Sequence, residues 1–329
     1  MVKIGVGLPT LQEIKTLGPD GVAQAARLAE TAGVDSLSVA DVLIGDGTFA
    51  LESIVALATA AAVTERVTLD FGVLSVPTRP VAMMAAQIQT LQYLSRGRVR
   101  LGVGIGGFPG SPFWAAVGAP STGRGRLMDE TLRALPGLIG GRATAVRDGV
   151  TVTLAPGTPV PPLLVGSGTS EAALRRVARF ADGWLPSGLT PPRVKAAVAR
   201  LREFAEEYGR PVPSVHLGVH AVLGEDREAR QAMEAQLSEF FQLPLEEARQ
   251  ASICGSPAEA AGRMAAFAEA GVDEIGFTLD GHDFPRQIEL VGETRMHLPR
   301  RSPLLAGATA GSDLHHDLKE SLERQAPLP

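Results

Sequence analysis

Strand-like and helix-like patterns alternate along this chain almost from end to end, and this alternation limits the fold more than any other feature. Short apolar runs at residues 3–8, 34–40, 67–76, 98–103, 162–166, 183–186, 215–223 and 274–279 read as strands. Helix-length amphipathic stretches separate them. Asp20 stands where a helix begins and Gly33 where it ends. Pro80 suits the first turn of a helix running to about Leu94. Ser256-Pro257-Ala258-Glu259 has the form of a capping box. Strands joined through helices pair in parallel with right-handed crossovers. Eight of them predict a closed (β/α)8 TIM barrel, which leaves no sheet edge, ahead of a doubly wound open sheet.

Two stretches break the rhythm, after the fourth and the seventh strands, and are expected to be insertions. Residues 104–122 are a Gly- and Pro-rich loop holding Phe108, Phe113 and Trp114. A helix follows from about Arg126, which Pro136 is expected to end or kink. Residues 145–154 read as a hairpin about Asp148-Gly149. The helical stretch 225–250 is interrupted at Pro244. The barrel is expected over 1–298 and a polar tail over 299–329, with Leu314, Leu318 and Leu322 able to line one face of a weak helix. The corner Thr31-Ala32-Gly33-Val34-Asp35 returns as Glu269-Ala270-Gly271-Val272-Asp273.

With 329 residues, 45% of them hydrophobic, the chain can bury a large core. A net charge of −5 without a basic patch argues against nucleic acid as a partner. No apolar run reaches the length of about 18 residues that reads as a membrane span. The single cysteine, Cys254, excludes an intrachain disulfide and suits a cytoplasmic protein. The opening MVKIGVGLPT enters a strand directly, so no signal peptide is expected.

In a TIM barrel the active site lies on the loops that follow the strands. Those loops hold Asp41 after the second strand and Ser75 and Val76 after the third. Gly104, Gly106 and Gly107 follow the fourth, and Gly166, Ser167, Gly168 and Thr169 the fifth. His220 follows the seventh and Asp280 the eighth. The loop Gly166–Thr169 leads from a strand into a helix start. Its bare N–H groups and the helix dipole suit a phosphate, or it is simply a tight turn that needs glycine. The lysines, Lys3, Lys15, Lys195 and Lys319, are misplaced for Schiff-base chemistry. His216 and His220 share one strand face, but no further histidine joins them to form a metal site. So few reactive groups point to a cofactor that supplies the chemistry.

Taken in order, Ala32-Gly33-Val34-Asp35-Ser36, Ala40-Asp41, Gly72-Val73-Leu74-Ser75, Ser95-Arg96-Gly97-Arg98, Leu101-Gly102-Val103-Gly104, Val165-Gly166-Ser167, Ala181-Asp182-Gly183-Trp184 and Ala270-Gly271-Val272-Asp273 resemble the bacterial luciferase-like family of flavin- or F420-dependent oxidoreductases. The likeness covers about residues 3–295. It implies a TIM barrel that binds coenzyme F420 or FMN at its C-terminal mouth and oxidises or reduces a small, apolar organic substrate, as monooxygenase or reductase. It also makes a homodimer plausible.

The resemblance further assigns the phosphate to Gly166, Ser167, Gly168 and Thr169, and sets Gly104, Gly106 and Gly107 beside the same cofactor. Ser75-Val76 matches a strand end where relatives back the ring, often with a non-proline cis peptide. Phe108, Phe113 and Trp114 would roof the substrate, unless they only pack beneath their loop. Two histidines common in relatives are missing, since Val42 follows Asp41 and the next loop reads Thr78-Arg79-Pro80. That leaves His220 and Asp41 as the candidate catalytic groups, with an interior histidine and a backbone-capping aspartate as the alternatives. F420 carries an acidic extension, and Arg79, Arg124 and Arg126 could form a basic rim for it, which tilts the reading from FMN toward F420. The alternatives are a non-catalytic flavin-binding protein of the same fold, or a TIM-barrel lyase or isomerase of a phosphorylated metabolite.

Overall fold

In a computed structural model, which describes residues 2–298, eight parallel strands close on themselves. They are β1 (Lys3–Gly7), β2 (Ser36–Val39), β3 (Thr68–Phe71), β4 (Val99–Gly104), β5 (Leu163–Gly166), β6 (Gly183–Leu185), β7 (Ser214–Leu223) and β8 (Glu274–Leu279). Each pairs with the next, and β8 returns to β1 in the register Lys3↔Glu274 to Val6↔Phe277. The fold is the expected (β/α)8 TIM barrel. The tail reading for 299–329 lies outside the described residues. Among those described, no helix is long and apolar enough to cross a membrane.

Three aspartates explain the recurring corner. The amide of Ile4 donates to Asp35 at 2.9 Å, that of Leu163 to Asp182 at 2.9 Å, and that of Val215 to Asp273 at 2.8 Å. Each carboxylate therefore takes the amide of a neighbouring strand at the bottom of the barrel. Arg98 also serves the scaffold. Its guanidinium donates to the carbonyls of Ala61, Thr64 and Val67, closing the C-terminal end of helix Ser53–Val63. Much of the family-like pattern is thus barrel scaffolding.

Both insertions are present. After β4 come helix Pro112–Ala116, helix Arg124–Ile139 and an antiparallel pair, Thr144–Ala145 with Thr151–Val152. After β7 come helices Arg227–Phe240 and Leu245–Gln250, with Pro244 at the break. They pack on a small core of their own around Val222, Met233 and Leu237. The Ser256–Glu259 capping box forms as expected.

Two expectations need correcting. Pro136 lies inside helix Arg124–Ile139, which continues to Gly140. Proline in the last turn removes one hydrogen bond, and the buried Leu132, Leu135 and Leu138 hold the turn in place. The third strand is not continuous to Val76. It stops at Phe71, a cis peptide bond joins Gly72 to Val73, and a two-residue strand Leu74–Ser75 leads into a 3₁₀ turn Val76–Thr78. Cys254 lies in a short strand, Ile253–Gly255, that pairs with β7.

The barrel interior is unusual in two layers. TIM barrels generally fill it with branched aliphatic side chains. Here the lower layer is charged: Arg100 on β4 forks onto Asp70 of β3 and Glu274 of β8. Ser36 and His216 also reach Glu274. All of these carboxylate and guanidinium groups are buried. Burial alone would raise the Glu274 carboxyl, but the hydrogen bonds from Arg100, with the His216 ring 3.5 Å away, outweigh it and hold Glu274 well below the usual range. Asp70 goes the other way, raised by complete burial and by the nearby Glu274 charge, against the pull of Arg100. Above this layer the inner face turns to glycine, at Gly72, Gly102, Gly104, Gly166 and Gly218. Small residues there leave the mouth of the barrel open.

Candidate cofactor site at the barrel mouth

A cavity of about 500 Å³ opens at the ends of β3–β6. Gly104, Gly106 and Gly107 line one side and Gly166, Ser167, Gly168 and Thr169 another. Both glycine loops expected from the sequence therefore meet in one site. Val73 forms the wall between them. Side chains at Gly104 or Gly166 would run into it, a Cβ on Gly166 falling 2.5 Å from Val73 Cγ1. Gly107 and Gly168 instead face open space.

Anion-binding chemistry is concentrated on the second loop. The amides of Ser167, Gly168 and Thr169 donate to no protein acceptor among the described residues. The ten-residue helix Glu171–Phe180 begins there, and Ser170 places no side-chain cap on its first turn. Uncapped N–H groups with the helix dipole behind them form a ready anion site. The loop is held from below, where the buried Trp184 indole donates to the Ser167 carbonyl at 3.1 Å and to its Oγ at 3.2 Å. These features fit a flat group ending in phosphate.

Sequence reasoning missed several wall residues. Arg193, in the first turn of helix Pro191–Glu207, lines the cavity beside the phosphate-type loop. Its contact with Glu247 is 3.6 Å long and half exposed, which leaves the cation usable. A signal was available, because the first turn of a helix that follows a barrel strand faces the mouth. Phe241 and Leu243 also line the cavity, and they come from the second insertion, far along the chain.

Ser75 and Val76 are buried and do not line this cavity; Gly72 and Val73 stand there instead. The Ser75 amide donates to Asp41 at 2.8 Å. Asp41 also accepts from Ser53 Oγ at 3.0 Å and from both terminal nitrogens of Arg79, whose guanidinium extends to Glu52. Burial alone would depress Arg79, yet its bonds to Asp41 and Glu52 raise it. With a side chain only 4% exposed, Asp41 spends its acceptor capacity on protein groups. It ties the loop after β2 to the loop after β3. Asp41→Ala would leave Arg79 with Glu52 as its carboxylate partner and the Ser75 amide without its acceptor, and is expected to cost about 2–3 kcal/mol in urea unfolding, while Asp41→Asn should cost less.

Phe108, Phe113 and Trp114 pack together with Asp41, Leu43 and Ser75 around a cleft with room for about one water. Trp114 is buried under Gly106, where φ is +75° and a side chain would collide with the indole. Gly107 borders both the cleft and the cavity. Arg124 sits above, donating to the carbonyls of Ile105 and Gly106 with its guanidinium 5.8 Å from the Trp114 ring centre. Arg126 is exposed beside Glu130. A second cavity, about 640 Å³, lies between the start of helix Val81–Leu94 and helix Arg124–Ile139, and shares no residue with the glycine loops.

On the remaining arc of the mouth, His220 Nδ1 lies 3.0 Å from Asp280 Oδ2 and 3.2 Å from Oδ1. Both side chains are partly exposed.

The fold and this mouth define a TIM barrel that can receive an anionic ligand against a glycine wall. Residues 3–274 match the luciferase-like monooxygenases, and the chain belongs to that family. An uncharacterised protein of Mycobacterium bovis is 33% identical over 213 residues, 57% of this chain and 72% of that one. The 5,10-methylenetetrahydromethanopterin reductase of Methanopyrus kandleri is 23% identical over 254 residues, 71% and 70% of the two chains. Among solved structures, an F420-dependent secondary alcohol dehydrogenase with an F420–acetone adduct superimposes with a TM-score of 0.77 at 17% identity, covering 91% of this chain and 99% of that one. A monooxygenase from Streptomyces bottropensis gives 0.74 at 20% identity, covering 89% and 98%. Membership of that family makes the chain an oxidoreductase.

Proposed function

We propose that this protein oxidises or reduces a small, apolar organic molecule with coenzyme F420 or FMN held at the barrel mouth. The observation that carries the reading is the loop Ser167–Thr169, which leads into the uncapped helix start at Glu171 and opens into the same cavity as the glycine wall. Ser167, Gly168 and Thr169 would hold the phosphate by their amides. Gly104, Gly106, Gly107 and Val73 would lie along the ring. The bound cofactor would supply the hydride or the reduced ring that the reaction needs.

Arg193 and Arg124 at the rim favour F420, because its acidic extension needs cations beyond the phosphate. Titration with F420, FMN and reduced FMN, followed by cofactor fluorescence, tests the reading. Micromolar or tighter binding of one of them is expected, with F420 the tighter. Failure of all three to bind would sink it.

The protein would act as a homodimer. Helices Ser53–Val63 and Val81–Leu94 pack side by side and contain no charged residue. Val55, Met83, Tyr93 and Leu94 nonetheless stand exposed on them. Large apolar side chains exposed on two adjacent uncharged helices suit a second copy. The double variant Val55→Glu/Leu94→Glu should sediment at half the mass of the parent; an unchanged mass in both would remove this assignment.

A further inference from the structure

We infer that His220 and Asp280 form a proton-transfer dyad for the reaction at the mouth, an inference that rests on the cofactor reading above. A carboxylate only accepts hydrogen bonds, so the imidazole nitrogen facing Asp280 must be the protonated one. The contacts of 3.0 and 3.2 Å thus fix the Nδ1–H tautomer. In the neutral ring the other nitrogen, Nε2, then carries the lone pair, and it has no protein partner among the described residues.

Its direction follows from β7. His216, Gly218 and His220 alternate on one face of the strand, and His216 on that face reaches the interior Glu274. His220 therefore points into the barrel axis, two steps nearer the mouth. Its side chain is 27% exposed, as the rim position requires.

The other strand-end groups are already occupied. Asp41 is saturated by Ser53, Ser75 and Arg79. Asp226 caps its helix and holds His282. Position 42, next to Asp41, carries valine. Among the described residues, two inner-face imidazoles keep a nitrogen without a hydrogen bond: His216 Nδ1 is buried low in the barrel beside Glu274, and His220 Nε2 stands nearer the mouth.

A dyad of this kind would serve a reaction that moves a proton on or off a substrate oxygen, as between an alcohol and a carbonyl. In oxidation, the substrate carbon loses its C–H electron pair as hydride to the oxidised cofactor. The O–H bond breaks, its proton passes to His220 Nε2, and C=O forms. In reduction, the carbonyl carbon takes the hydride from the reduced cofactor while the proton on Nε2 goes to oxygen. Asp280 is the positioning residue, steadying the tautomer and the imidazolium that forms.

Two measurements on the full chain test this without a known substrate. Diethyl pyrocarbonate, read by peptide mass spectrometry, should acylate His220 in the free protein, and saturating F420 or FMN should slow this at least about tenfold. Proton–nitrogen correlation spectra of the histidine rings should show the Nδ1–H form at His220. That form should be lost in Asp280→Leu and kept in Asp280→Asn, whose amide oxygen still accepts. Acylation unaffected by a cofactor that demonstrably binds, absence of acylation, or an Nε2–H form in the parent would each overturn the dyad alone. If no cofactor binds the parent, the cofactor reading fails first and the dyad falls with it.

Discussion

Arg100→Leu is expected to lower unfolding stability by about 3–5 kcal/mol, the cost of removing one partner from a buried ion cluster. Arg100 is the cation that Asp70 and Glu274 share inside the barrel. Leucine fills much of the space but leaves two carboxylates facing each other in an apolar surround. The pH dependence checks the cause. Glu274 is held below its ordinary 4.5, so its contribution is complete above that value and fades as pH falls toward the lower folded value. In the variant the unpaired carboxyls shift upward, so their charge costs stability above the ordinary value and protonation relieves it. The gap between parent and variant should therefore be widest near pH 7 and shrink on acidification to about pH 4. Urea unfolding at several pH values measures it. A gap that stays constant with pH would show that lost packing, not charge, is responsible. Arg100→Lys should recover only part of the loss, because an ammonium cannot fork onto both carboxylates.

Gly168→Asp is expected to weaken cofactor binding by about 100-fold or more, roughly 3 kcal/mol of like-charge repulsion. A side chain at Gly168 meets nothing within 4 Å, and its backbone is not in the left-handed region, so the fold should be unaffected. The new carboxylate would stand where the amides of Ser167 and Thr169 await an anion. Gly168→Ala is the control and should change affinity little. Fluorescence titration with F420 and FMN gives the comparison, and circular dichroism confirms the fold. If the aspartate variant binds as tightly as the parent, the phosphate is held elsewhere.

The family is legible because its pattern belongs to the scaffold. Gly33, Asp35, Arg98, Asp182, Gly271 and Asp273 cap helices or bind neighbouring strands, roles set by local geometry and repeated around the barrel. The glycine loops are legible for a related reason, since their position after a strand and before a helix declares what their backbone can do. The place of Asp41, just past the end of β2, is legible in the same way. Its partners are not, because Arg79 and Ser53 come from other loops. The Arg100, Asp70 and Glu274 cluster goes unseen for the same reason, Arg100 and Glu274 lying 174 positions apart.

The sequence by itself determined the eight-strand barrel, its two insertions and the loops that form its mouth. Each is written in local periodicity, capping and turn chemistry, which act over a few residues. Only the tertiary structure decided that Val73 rather than Ser75 and Val76 faces the cavity, and that Arg193, Phe241 and Leu243 complete its wall. It also decided that His220 meets Asp280, 60 residues away. Such pairings depend on which strands become neighbours and how the closed barrel turns each side chain, and no local stretch of chain encodes that.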